Sequence, residues 1–126
     1  MAANEYLNKS IVYAGSDIFS VPPLQRLLDL KYKKITVLTK PPKRQGRGMK
    51  LKNNALAQFS SEQNIEILMP EDPNDGGLLE RLKEIEPEAL ITSAYGKLVS
   101  KTLLDIFSSG NINIHPSLLP RWRGPS

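Results

Sequence analysis

The residues best suited to chemistry are Asn113 and His115, which lie near the end of the last β-branched run of the chain. In Asn111-Ile-Asn-Ile-His115 polar residues alternate with isoleucines, so an extended strand places both side chains on one face. Burying amides and an imidazole in a dry core is costly, which favours a strand end that opens into a cleft. There they can stabilise the oxyanion that forms when a nucleophile attacks a carbonyl group. A strand-end histidine satisfied by local hydrogen bonds gives the same pattern.

The composition argues against several other kinds of chemistry. The 126 residues include no cysteine, which excludes disulfides and thiolate metal sites. His115 is the one histidine, so a multi-histidine site is excluded and we expect no metal. No apolar run approaches the roughly 20 residues that a membrane span needs. Neither a dinucleotide-binding glycine motif nor a P-loop is present, so a nicotinamide enzyme or an NTPase has no support.

Short β-branched runs alternate with stretches in which apolar residues recur at helical spacing. This alternation predicts an α/β fold, a Rossmann-like and mostly parallel five-stranded sheet with helices on both faces. Ligands of such sheets bind at the carboxyl ends of the strands, where we expect the site. The predicted strands are Ser10–Ala14, Ile35–Thr39, Ile65–Met69, Ala89–Ser93 and Asn111–His115.

Positive charge is concentrated in one segment of the chain. Nine of the 17 basic residues lie between Leu30 and Ser61, a stretch without any acidic residue. Within it, the prolines and glycines of the loop at 40–52 exclude a continuous regular element. Such a loop suits phosphate contacts, although a solvated lysine-rich surface is the alternative. The loop offers Lys40, Lys43, Arg44, Arg47, Lys50 and Lys52 for such contacts, and the candidates are Lys43, Arg44, Arg47 and Lys50.

Three segments carry a resemblance to a known family. Asn113-Ile-His-Pro-Ser-Leu-Leu-Pro-Arg-Trp-Arg-Gly124 closely resembles the signature of the 10-formyltetrahydrofolate-dependent formyltransferases. Val12-Tyr-Ala-Gly-Ser-Asp17 resembles the first strand and turn of that family, and Ala94-Tyr-Gly96 with Leu98 resembles its folate-pocket loop. The resemblance covers nearly the whole chain after Lys9. It implies transfer of a formyl group to an amine, with 10-formyltetrahydrofolate as co-substrate and without a metal.

The resemblance also implies roles for individual residues. Asn113 is expected to hold the formyl oxygen, and His115 to stabilise the oxyanion or relay a proton. The third catalytic residue of the family is an aspartate further along the chain, and no carboxylate lies between His115 and Ser126. We therefore expect residues 10–126, after an N-terminal tail at 1–9, to be an incomplete catalytic domain that is inactive alone and lacks the family's C-terminal tRNA-binding domain. The implied folate site consists of Tyr95, Gly96, Leu98, Ser117, Leu118, Leu119 and Pro120.

Two features resemble those family members that formylate initiator methionyl-tRNA. They are Pro120-Arg-Trp-Arg-Gly124 and the basic loop around Gly46-Arg-Gly48, which in those members contacts the tRNA acceptor stem. The implied role is in translation initiation, with initiator methionyl-tRNA and folate as partners, no membrane and a monomeric protein. The residues at 115–117 and 124–126 resemble mitochondrial members, which favours the mitochondrial matrix; a bacterial cytoplasm is the alternative.

Two other functions remain open. A formyltransferase of the same chemistry can act on a small amine, such as glycinamide ribonucleotide or a sugar, but such an enzyme has no use for the basic loop. A non-catalytic remnant that binds folate or RNA agrees with the missing aspartate. A generic flavodoxin-like binding module leaves the signature unexplained.

Overall fold

A computed structural model of the protein describes residues 7–48, 50–72, 74–93, 95 and 100–114. Strands and helices alternate along most of the chain, and a 3-10 turn, Ile18–Ser20, precedes the first helix. The elements are β1 (Ser10–Gly15), α1 (Val21–Asp29), β2 (Lys34–Leu38), β3 (Lys43–Gln45), β4 (Lys50–Lys52), α2 (Ala55–Glu62), β5 (Glu66–Leu68), α3 (Gly76–Ile85), β6 (Ala89–Ser93), α4 (Lys101–Leu104) and β7 (Asn111–Ile114).

The main sheet has five strands in the order β5-β2-β1-β6-β7, and every pairing in it is parallel. The predicted α/β, Rossmann-like sheet is confirmed. From β1 the chain builds outwards through β2 to β5 and then crosses to the other side of β1 for β6 and β7. The strand order therefore reverses between β1 and β6. A crevice for ligands is expected at the carboxyl ends of these two strands.

Both faces of the sheet are covered, because side chains of β1 point alternately to the two sides. Val12 and Ala14 pack with Leu82 of α3 and Leu103 near the end of α4. Tyr13 faces the other way and packs with Leu24 of α1 and Leu56 of α2. The prediction of helices on both faces is thus confirmed, and strand β1, which is buried from Ile11 onwards, anchors the two halves of the core.

The basic loop contains two short strands. Strands β3 and β4 pair antiparallel, and they form a two-stranded sheet separate from the main one. Among its described residues no continuous element spans the loop, as the prolines and glycines predicted, but the glycines permit a tight turn between two short extended segments that the sequence did not predict. Gly46 and Gly48 have φ values of 71° and 79°, which L-residues with a Cβ rarely adopt. We call residues 43–52 the basic hairpin.

The helices near the site begin at side-chain caps. Asn54 Oδ1 accepts a hydrogen bond of 2.9 Å from the Ala57 amide and so caps α2. Asp75 caps α3 in the same way through the Gly77 amide. Within the described ranges, no helix is both long enough and apolar enough to cross a lipid bilayer.

Candidate functional site at the carboxyl edge of the sheet

The turn after β1 is held tightly against the end of β6. The hydroxyl of Ser20 lies 2.8 Å from the Ser93 carbonyl oxygen, to which it donates, and it accepts from the Ser16 amide at 3.2 Å. The Tyr13 hydroxyl donates to the Ser20 carbonyl oxygen at 2.6 Å, and burial raises the pKa of Tyr13 above its ordinary value. These bonds join the two strands between which the strand order reverses.

Gly15 is required at this turn by lack of space. A Cβ atom at this position would lie 2.5 Å from Ser20 Oγ and 2.7 Å from the Ser93 carbonyl oxygen. Because real Cβ atoms do not approach other atoms so closely, any larger residue would push β1 and β6 apart. Glycine at the end of the first strand therefore permits the close approach of backbone segments beneath the crevice.

The predicted catalytic asparagine lies on the edge strand β7. Asn113 is exposed and is paired in register with Thr92 of β6. The Thr92 hydroxyl donates a hydrogen bond of 2.9 Å to Asn113 Oδ1. Since an amide oxygen held in this way fixes the orientation of the whole amide group, the orientation of Asn113 depends on its neighbouring strand. Asn113 is thus exposed near the end of its strand, and its catalytic role stays a prediction.

Most other predicted site residues are not covered by the structure. His115, the second predicted catalytic residue, follows β7 and lies outside the described residues. The same holds for Gly96, Leu98 and the segment 117–120, so the predicted folate contacts there stay predictions. Tyr95 is the one predicted folate residue whose position is described.

Tyr95 is buried and belongs to the core rather than to an open surface. Only 3% of it is exposed, and its ring packs in the cluster that contains Leu78 and Leu103. Burial, with the nearby negative charge of Asp72, raises the pKa of Tyr95 to about 12. Its hydroxyl is buried and has no hydrogen-bond partner within the described part of the chain. The ring therefore anchors the exit of β6, and a direct folate contact stays a prediction.

The four predicted nucleic-acid contacts lie together on the basic hairpin. Lys43, Arg44 and Lys50 belong to its strands, whereas Arg47 lies at its tip between Gly46 and Gly48. All four of the basic residues are exposed. Only four residues separate the end of β2 from the hairpin, so its charges lie near the carboxyl edge of the main sheet.

Two residues that organise this edge were missed by the sequence reading. A serine before a helix is typical of an N-cap, but the Ser20 side chain makes no cap bond and joins β1 to β6 instead. Thr92 was read only as part of a strand. Its polar side chain in an apolar run was a signal, but the partner depends on the β6–β7 register, which local patterns do not fix.

This edge combines an oriented amide with a surface that attracts anions. An amide beside the reacting carbonyl can donate to an oxygen on which negative charge develops. The basic hairpin, in turn, suits a polyanionic substrate. Among the described residues, no group of three or more His, Asp or Glu side chains lies close enough together to hold a metal ion.

Comparison with known proteins agrees with this combination of fold and site. The profile of the formyl transferase family, in its N-terminal domain, matches residues 13–126. The chain belongs to the formyl transferase family.

Several named proteins are similar to this chain over most of its length. The chain is 41% identical over 114 residues to a protein named methionyl-tRNA formyltransferase from Ruminiclostridium cellulolyticum, covering 90% of this chain and 36% of that protein. The protein of the same name from Corynebacterium glutamicum is 41% identical over 119 residues, with 90% and 38% covered. That from Borrelia duttonii is 40% identical over 116 residues, with 92% and 37% covered. The chain thus spans a little over a third of the length of these bacterial relatives.

Proposed function

We propose that the protein containing this chain transfers a formyl group from 10-formyltetrahydrofolate to the amino group of methionyl-tRNA. The observation that carries the proposal is that an oriented strand-end amide, Asn113, and a basic hairpin lie at one edge of the same sheet. Membership of the formyl transferase family supports the reaction class. The relatives named methionyl-tRNA formyltransferase support the choice of acceptor.

Asn113 supports the chemistry through its amide hydrogens. Because Thr92 donates to its Oδ1 atom, the donor end of the side chain is the NH₂ group. We infer that this group binds the formyl oxygen and stabilises the negative charge that develops there when the amine attacks. His115 is the proposed second group, as oxyanion stabiliser or proton relay. The chain's part in catalysis is mainly positioning and electrostatic stabilisation.

The folate supplies the formyl group and leaves as tetrahydrofolate. We propose that it lies beside the end of β6, near Tyr95. Because Tyr95 is buried in the core, its proposed part is to hold the end of β6 against which the folate would lie. Gly96, Leu98 and the residues at 117–120 are the further proposed contacts.

The basic hairpin supports tRNA as the acceptor substrate. Lys43, Arg44, Arg47 and Lys50 are exposed, as phosphate contacts require, and a small amine would leave them without a use. The glycines beside Arg47 allow its backbone to approach a nucleic acid closely. A monomeric protein is proposed, in which one site serves one tRNA.

We propose the mitochondrial matrix as the compartment, with a bacterial cytoplasm as the alternative. The support is the resemblance of the residues at 115–117 and 124–126 to mitochondrial members of the family, whereas the relatives named above are bacterial. A fluorescent fusion of the full-length protein in cells of its source tests this. Signal outside mitochondria in a eukaryotic source would contradict the proposal.

The proposed activity is tested in the full-length protein with 10-formyltetrahydrofolate and methionyl-tRNA. We expect formyl transfer, and a loss of kcat of roughly a hundredfold or more in Asn113→Ala, as for removal of an oxyanion donor. In Lys43→Ala/Arg44→Ala/Arg47→Ala we expect weaker tRNA binding with a flatter salt dependence. Transfer to glycinamide ribonucleotide or a sugar, with no response of tRNA binding to the hairpin variant, would support a small-amine enzyme instead.

A further inference from the structure

A small cleft lies where the basic hairpin meets the carboxyl edge of the main sheet. Its volume is about 190 Å³, and it is lined by Ser16, Lys40, Pro41, Lys43, Lys52 and Asn54. Pockets that enclose a whole small molecule usually have volumes of about 300–1,000 Å³. The size of this cleft therefore suits one ionic group of a larger ligand.

The charges of the cleft are positive without internal compensation. Three of the residues that line the cleft are lysines, and no lining residue is acidic. Lys43 and Lys52 lie directly opposite each other in the antiparallel register of the hairpin, on the same face. Like charges in this arrangement repel and destabilise the pair. An anion bound between them removes that repulsion, so the register itself favours an anionic ligand.

The floor of the cleft is fixed in position before any ligand binds. Asn54 Nδ2 donates to the Thr39 hydroxyl at 2.9 Å and to the Lys40 carbonyl oxygen at 3.3 Å. Its Oδ1 atom accepts from the Ala57 amide, so the amide is used on both ends. These bonds tie the end of β2 to the start of α2 and hold the backbone of Lys40. The backbone at the floor of the cleft therefore loses little conformational entropy when a ligand binds.

The cleft lies on the same edge of the sheet as the proposed catalytic asparagine. Ser16 follows β1 and Lys40 follows β2, whereas Asn113 is near the end of β7. In the sheet order, β7 is two strands from β1 and three from β2. With neighbouring strands about 4.8 Å apart, the lateral separation is roughly 10–15 Å. One end of a nucleic-acid strand can therefore reach both positions.

We propose that this cleft is a subsite for one phosphodiester group of the acceptor RNA, with Lys40 and Lys52 as contacts additional to those predicted on the hairpin. The proposal rests on the proposed function. A polyanion is favoured over a small phosphorylated ligand because positive charge continues from the cleft along the hairpin to Arg47. A ligand confined to 190 Å³ would leave that charge unused.

The test uses two double variants of the full-length protein with the same change of charge. Lys40→Gln/Lys52→Gln removes charge from the cleft. Lys33→Gln/Lys34→Gln removes it from exposed positions of the same basic segment, at the amino end of β2. The two ends of this five-residue strand are about 13 Å apart, beyond the Debye length of about 8 Å at physiological salt. The control therefore reports any general effect of net charge.

The salt dependence of methionyl-tRNA binding is the first measurement. In the cleft variant we expect the negative slope of log K against log[salt] to become shallower by about one, as for the loss of one phosphate contact. The control variant should keep the wild-type slope. Equal slopes in the cleft variant, the control and the wild type would overturn the subsite. If the wild type does not bind tRNA, the proposed function is wrong. If only the subsite is wrong, the wild type still binds tRNA and the hairpin variant still binds it more weakly.

A second measurement locates the phosphate and keeps the test independent of protein stability. Acceptor-end RNA is prepared with a single neutral methylphosphonate at successive positions. We expect one position to weaken binding to the wild type and the control, but not to the cleft variant, since the contact is already lost there. Equal sensitivity of all three proteins would overturn the proposal. A second outcome would also overturn the proposal: glycerol phosphate, a phosphomonoester, binds saturably and requires Lys40 and Lys52, whereas tRNA binding does not require these lysines.

Discussion

The end of β1 and the basic hairpin contribute to the same edge of the molecule, but they are held in place differently. At the end of β1, Gly15, Ser20 and Ser93 are buried and closely packed, and a hydrogen bond of 2.8 Å joins Ser20 to Ser93. The basic residues of the hairpin are exposed, and its own backbone pairing and two glycines with positive φ set its shape.

The difference follows from what each region has to do. Catalysis requires that reacting groups keep their positions closely, because a misplacement of about 1 Å can reduce the rate a hundredfold. Buried neighbours impose that accuracy. Contacts to phosphate groups need charge and reach rather than an exact position, so an exposed hairpin is sufficient. We therefore expect added side-chain volume at the end of β1 to lower the stability of the protein, and changes of charge or backbone conformation in the hairpin to weaken tRNA binding.

The largest effect is expected for Gly15→Ala. The added methyl group would meet Ser20 Oγ and the Ser93 carbonyl oxygen, and overpacking of this kind costs about 1–3 kcal/mol. Urea unfolding measures the loss in the free energy of unfolding. Gly76→Ala is the matched control, because a Cβ at that helical position meets no atom within 4 Å. Equal stability of the two variants would contradict the close packing of β1 against β6.

The next effect concerns the tip of the hairpin. Gly48 has a φ of 79° and open space around it, so Gly48→Ala introduces backbone strain of about 1–2 kcal/mol without a clash or a change of charge. We expect tRNA binding to weaken by roughly five- to thirtyfold, measured by titration. Gly48→Asn is the control, since asparagine tolerates positive φ better and should retain more affinity. An unchanged affinity in Gly48→Ala would show that the turn does not shape the contact.

A smaller effect is expected at Thr92. Thr92→Val removes the hydrogen bond to Asn113 Oδ1 while keeping the shape of the side chain, and one such bond contributes about 0.5–1.5 kcal/mol. In the full-length protein we expect kcat to fall by about two- to tenfold, with KM nearly unchanged. Thr92→Ser keeps the hydroxyl and should restore kcat. A kcat equal to wild type in Thr92→Val would remove Thr92 as a positioning residue.

The smallest effect lies at the opposite, amino-terminal edge of the sheet. The Ser109 and Ser108 hydroxyls, at 2.8 and 3.1 Å, and then Lys9 lower the pKa of Glu88 below its ordinary value of 4.5. A lowered carboxylate pKa gives stability that is present above 4.5 and is lost as the pH falls through the folded-state value. Thermal unfolding at a series of pH values should therefore show a shallower loss of stability below pH 4.5 in Glu88→Gln. An identical pH dependence would contradict these contacts.

By itself, the sequence determined the periodic features of this protein. The β-branched runs and the helical spacing between them predicted all five strands of the main sheet, because burial imposes a period that can be read locally. The family signature and the alternation in β7 predicted Asn113 at an open strand end, and the cluster of charge predicted the basic surface. His115 and the segment after it remain predictions.

Only the tertiary structure decided which of these elements meet. The strand order, the bond from Thr92 to Asn113 and the close approach at Gly15 join residues that are far apart in the chain, so no local pattern encodes them. The hairpin lies between these two cases, because a Gly-Arg-Gly tip between short extended segments is a local turn signal, whereas the pairing of β3 with β4 is not local. The opposed lysines of the cleft appear only once that hairpin has its register, since pairing, rather than composition, determines which charges face each other.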